Sequence, residues 1–110
     1  MAIVAVSIAP IGAGTSVGRY VAEALRVARA QDRVAVVLGP MFTTLEGDLG
    51  EILDLVRRMQ EAVFAAGAER VSTVVKIDER RDRAARASDK VRVVERLLAG
   101  DAASDEPEPG

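Results

Sequence analysis

The stretch Leu38 to Gly47, LGPMFTTLEG, brings two hydroxyls and a carboxylate close together at Thr43, Thr44 and Glu46. A threonine hydroxyl both donates and accepts hydrogen bonds. On a strand Thr43 and Thr44 point to opposite faces, so at most one lines any given cavity, and threonine also favours strands for packing reasons alone. Glu46 has two readings, a cap for a following helix or a carboxylate that meets a cationic ligand. A second candidate is Gly12-Ala-Gly14-Thr-Ser-Val-Gly18, whose backbone amides, with Ser16, can hold an anion or a polar ligand group. Its glycines imitate a dinucleotide fingerprint, but the next apolar run ends in Leu38-Gly39-Pro40 instead of the acidic residue a ribose requires, and the chain has no further βα units. A third is KIDERRDRAAR over residues 76–86, where Arg80, Arg81, Arg83 and Arg86 mix with Asp78, Glu79 and Asp82. It reads either as a solvated loop of local ion pairs or as a place for subunit contacts or an anion.

The chain contains no Cys and no His, which removes disulfides, thiol nucleophiles, imidazole bases and the usual zinc or iron ligands together. The expectation is a binding protein without an enzymatic activity, a metal or a cofactor. With 15 Lys and Arg against 17 Asp and Glu, the 110 residues lack the basic footprint of a nucleic-acid binder. No apolar run approaches the roughly 18 residues that cross a bilayer, and no basic stretch precedes the apolar residues 2–9, so a cytoplasmic protein without membrane contact is expected.

The elements that must position these residues follow from periodicity. Residues 2–9, AIVAVSIA, form a β-branched run that stops at Pro10 and reads as strand β1. Ser16 is placed to cap helix α1, in which Val17, Tyr20, Val21, Ala24, Leu25 and Ala28 recur at helical spacing. Residues 34–38 and 41–46 read as strands β2 and β3, joined tightly and antiparallel across Gly39-Pro40. Gly47 and Asp48 open helix α2, with Leu49, Ile52, Leu53, Val56, Met59 and Val63 on one face and Gly67 as its stop. Residues 70–78 alternate Val71, Thr73, Val75 and Ile77 against Ser72, Val74, Lys76 and Asp78, as a half-buried strand β4 does. Ser88 can cap a short helix α3 bearing Val91, Val94, Leu97 and Leu98 and ending at Gly100.

The order βαββαβ, with right-handed crossovers, predicts an α+β, ferredoxin-like domain over residues 1–100. Its antiparallel sheet has the order 4-1-3-2, both long helices lie on one face, and α3 is appended. Residues 101–110, DAASDEPEPG, read as a disordered acidic tail. One face of such a sheet is bare, yet β1 is apolar on both sides, so a second copy of the chain is expected to cover it. RNA binding on this topology needs aromatic residues on the strands, and Phe42 is the only one there. Acylphosphatase-type catalysis on the same topology resembles a site with an arginine between β1 and α1 and an asparagine on the sheet. Residues 10–18 contain no Arg, and the chain contains no Asn.

GTSVGRYVAEAL at 14–25, LGPMFTTLEG at 38–47 and RVSTVVKIDERRD at 70–82, in this order, resemble the thiamine-binding protein family over nearly all of residues 1–100. The resemblance implies a homotetramer built from dimers whose sheets pack together. It also implies a site for thiamine or its hydroxymethylpyrimidine part, at Ser16 and Tyr20 on α1, Thr43, Thr44 and Glu46 on β3, and Lys76 and Asp78 on β4. A cationic thiazolium would favour Glu46 or Asp78, and an aminopyrimidine would favour Ser16, Thr43 or Thr44. The family usually has Gly after the Met of the β3 motif, where this chain has Phe42, a ring that either narrows a pocket or stacks on a ligand. A structural or regulatory homo-oligomer with a vestigial ligand site is the alternative.

Overall fold

The computed structural model describes residues 1–82 and 87–100, and the expected tail at 101–110 lies outside them. The elements run β1 (Ala2–Pro10), α1 (Gly18–Arg29), β2 (Ala35–Leu38), β3 (Thr43–Gly47), α2 (Leu49–Ala65), β4 (Val71–Glu79) and α3 (Ala87–Leu98). The four strands make one antiparallel sheet in the order β2-β3-β1-β4, the expected ferredoxin-like α+β arrangement read from its other edge. Among the described residues no helix is long and apolar enough to cross a membrane.

Pairing fixes which side chains share a face. Val4 stands opposite Leu45 and Ile77, and Val6 opposite Thr43 and Val75. Ala2, Val4, Val6 and Ile8 of β1 are buried and pack with Leu45 against Tyr20, Ala24 and Ala28 of α1 and Ile52, Leu55, Met59 and Val63 of α2. Burying each large aliphatic side chain contributes roughly 1.5 to 3 kcal/mol, so this layer supplies the main drive to fold. The intervening residues Ile3, Ala5, Ser7 and Ala9 face the other way and are half-buried.

Several local expectations shift. Val17, not Ser16, occupies the N-cap of α1, and no side chain caps that end. Asp48 caps α2 by accepting from the Glu51 amide at 3.0 Å. The buried stripe of α2 uses Leu55 where Leu53 was expected, and Leu53 is exposed. Its periodicity admits either residue, and the position of the sheet chooses between them. On β4, Ile77 is exposed although Val71, Thr73 and Val75 are half-buried. The β2–β3 connection spans residues 39–42 because β3 begins at Thr43. Pro40 has no N–H to give a ladder, and a side chain at Gly39 would bring its Cβ within 2.4 Å of the Phe42 carbonyl oxygen.

The turn from α1 to β2 is held by a signal absent from the sequence reading. The Gln31 carboxamide donates to the Ala28 and Val34 carbonyls at 2.7 and 2.9 Å and accepts from the Arg33 and Val34 amides at 2.9 and 2.8 Å. Both N–H groups and the oxygen are therefore in use.

Candidate functional site

On the helix side, the loop 39–42 closes over a cavity of about 110 Å³ between α1 and the sheet. Val21, Ala24 and Leu25 of α1, Val6 and Ile8 of β1, Met59 of α2 and Leu38, Pro40 and Met41 of the hairpin make its apolar wall. Thr43 also lines it, only 7% exposed and the single polar side chain among the described buried ones. Its hydroxyl has no hydrogen-bond partner among the described residues. The hydroxyl is not sealed off and keeps contact with solvent, so a bound polar group would take the place of water there. At about 110 Å³ the cavity is smaller than the roughly 150 Å³ apolar cavities that hold benzene, so it takes part of a ring and leaves the rest of a ligand to extend through its mouth.

On the opposite side of the sheet the expected residues form a different cluster. One row reads Val37, Thr44, Ala5, Lys76 across the four strands, and the next reads Ala35, Glu46, Ile3, Asp78. The Glu46 carboxylate accepts from the Ala87 amide at 2.9 Å, so it serves a helix start after all, that of α3 instead of α2. Asp78 pairs with Lys90 one turn later, and this partner holds the Asp78 carboxyl below the usual carboxylate range. Both acidic groups thus tether the first turn of α3 to this side of the sheet. Lys76 is exposed beside them, and Thr44 is half-buried.

The remaining expected residues join neither group. Ser16 is exposed in the loop before α1. Tyr20 is buried, but its hydroxyl accepts from Arg19 at 2.7 Å, and the same guanidinium lies 4.2 Å from the ring centre and donates to the Ala66 carbonyl at 3.2 Å. Tyr20 therefore ties α1 to the end of α2. Phe42 is partly exposed and is not among the residues lining the cavity. Of the arginine-rich segment, Arg80 pairs with Asp82 at 2.6 Å and Arg81 with Glu79 at 2.9 Å, the local pairing of a solvated loop; Arg83 and Arg86 lie outside the described residues.

Of the seven expected residues, only Thr43 lines the cavity. Its apolar wall was legible as helix and strand periodicity but not as a site. Beside it an open groove of about 590 Å³ runs along α1, lined by Gly18, Val21, Ala22, Leu25, Arg26, Arg29 and Leu38. The residues from α1 recur every three to four positions, a stripe the sequence reading split between an apolar and a polar face. Among the described residues no group of three acidic, His or Cys side chains could hold a metal ion.

A model of the family described as thiamine-binding protein matches residues 4–95. The chain belongs to the thiamine-binding protein family. A UPF0045 protein of Staphylococcus xylosus is 40% identical to this family member over 102 residues, covering 89% of this chain and 95% of the relative. A UPF0045 protein of Mycobacterium bovis is 43% identical over 97 residues, covering 87% and 93%. A hypothetical protein of Methanocaldococcus jannaschii superposes with a TM-score of 0.78 at 36% identity, over 86% of this chain and 95% of that one. A candidate thiamine biosynthesis or salvage protein of Thermotoga maritima shares the fold at a TM-score of 0.71 and 19% identity, over 83% and 96%.

Proposed function

We propose that this thiamine-binding family member holds the aminopyrimidine ring of thiamine or of hydroxymethylpyrimidine in the cavity at Thr43, without covalent chemistry. The Thr43 hydroxyl, without a hydrogen-bond partner among the described residues and set in an otherwise apolar cavity, carries this reading. An aminopyrimidine offers ring nitrogens and an amino group to such a hydroxyl and a flat apolar body to the walls. Glu46 and Asp78 lie on the other face of the sheet and hold α3, so the ring, not a thiazolium paired to these carboxylates, is the recognised part. Self-association into a homotetramer belongs to the proposal: Val37 and Val74 on the bare face and Val91, Val94 and Leu98 on α3 are exposed and call for cover.

Calorimetric titration with hydroxymethylpyrimidine and with thiamine tests the site. Saturable binding of one molecule per chain is expected, and at a free concentration a hundredfold above Kd it stabilises the native state by about 2.7 kcal/mol. Flat titrations with both compounds would remove the reading and leave a purely structural oligomer, which the exposed apolar faces also support.

A further inference from the structure

We infer that the molecule bound here is a phosphomonoester, with its ring in the Thr43 cavity and its phosphate in the adjoining groove against Arg29 and Arg26. The inference rests on the proposed ring site and deepens it. Cavity and groove share Val21, Leu25 and Leu38, so a ligand seated in the first has a continuous path into the second. Among the described residues, Arg26 and Arg29 are the charged ones of that path, and no carboxylate lines either space. Arg29, exposed, has no ion-pair or hydrogen-bond partner among the described residues, while Arg26 pairs with Glu23. The net positive charge left at the groove repels a cationic ligand end and attracts an anionic one.

Reach and chemistry agree. Arg29 follows Leu25 by one helical turn, about 6 Å along the axis, which is the separation between a small ring and a phosphate one methylene and one ester oxygen away. A guanidinium presents a planar fork of donors that meets two phosphate oxygens at once, and a phosphomonoester carries roughly −1.5 to −2 charges near neutral pH. Both arginines stand in the last turn of α1, whose carbonyls carry partial negative charge. A phosphate in the groove therefore depends on the two side chains and not on the helix end.

The test is a set of calorimetric titrations at low and moderate salt with hydroxymethylpyrimidine, its phosphate ester and inorganic phosphate. The ester is expected to bind about tenfold tighter than the alcohol, an advantage that shrinks as salt rises. Arg29→Gln, whose folding is checked by circular dichroism, should erase most of the difference between ester and alcohol. Equal or tighter binding of the alcohol overturns the inference and leaves the ring site standing. Inorganic phosphate binding as tightly as the ester overturns it too, because the cavity then plays no part. An Arg29→Gln variant that keeps the full advantage removes Arg29 from the site, and failure of both pyrimidines overturns ring site and inference together.

Discussion

Thr43 and Glu46 stand three residues apart on β3 and point to opposite faces, so their substitutions should have opposite signatures. Thr43→Val keeps the branched shape and removes a hydroxyl that has no partner among the described residues. Thermal stability should hold or rise by up to about 1 kcal/mol, while affinity for hydroxymethylpyrimidine falls about fivefold through the loss of one hydrogen bond. Unchanged affinity by calorimetry would place the ring elsewhere. Glu46→Ala instead removes the acceptor for the Ala87 amide. A lost helix-start bond costs about 1 kcal/mol, so amide exchange over residues 87–93 should quicken about fivefold, with pyrimidine affinity unchanged. Weaker ligand binding with undisturbed exchange would return Glu46 to the ligand.

At the scale of elements, two attachments were invisible to periodicity and both are polar. Gln31 makes four hydrogen bonds across the α1–β2 turn and so fixes Leu38, at the end of β2, against α1. Gln31→Ala should cost about 1 to 3 kcal/mol in a denaturant titration, well above an ordinary surface change. Helix α3 is held differently, by Glu46 and by the exposed Asp78–Lys90 pair. Because Lys90 lowers the folded-state pKa of Asp78, the pair's contribution is present above the ordinary carboxylate pKa and is lost as pH falls through the depressed value. The Asp78 carboxyl, followed by NMR, should titrate below a free aspartate, and Lys90→Met should move its midpoint upward. A midpoint that ignores Lys90 would show that the pair does not persist in solution.

For the whole molecule the bare sheet face decides the behaviour. Val74 is 53% exposed on an edge strand and Leu98 is 82% exposed on α3, an arrangement that costs free energy in water and is relieved when another copy covers it. Light scattering at micromolar concentration should give a mass of several times 11.6 kDa. Val74→Asp should lower that mass without unfolding the chain, since the side chain is outside the core. A parent mass of 11.6 kDa, that of one chain, would show that the face tolerates water.

The order of elements, the sheet topology and the family are properties of the sequence alone, because they follow from local periodicity and from handedness rules that hold for any such chain. Alternation in β1 and β4 even assigned Val4, Val6 and Val75 to one face and Lys76 and Asp78 to the other. Thr43, Thr44 and Glu46 were legible as polar groups on β3, but their neighbours were not. A carboxylate's partner can come from anywhere in the chain, and Glu46 meets an amide 41 residues later. Only the tertiary structure chose Leu55 over Leu53, passed the helix start from Ser16 to Val17, and closed loop 39–42 over α1 so that the Thr43 hydroxyl lines an otherwise apolar cavity. Those outcomes depend on where packed surfaces meet, and periodicity gives the direction of a side chain without the distance to what it faces.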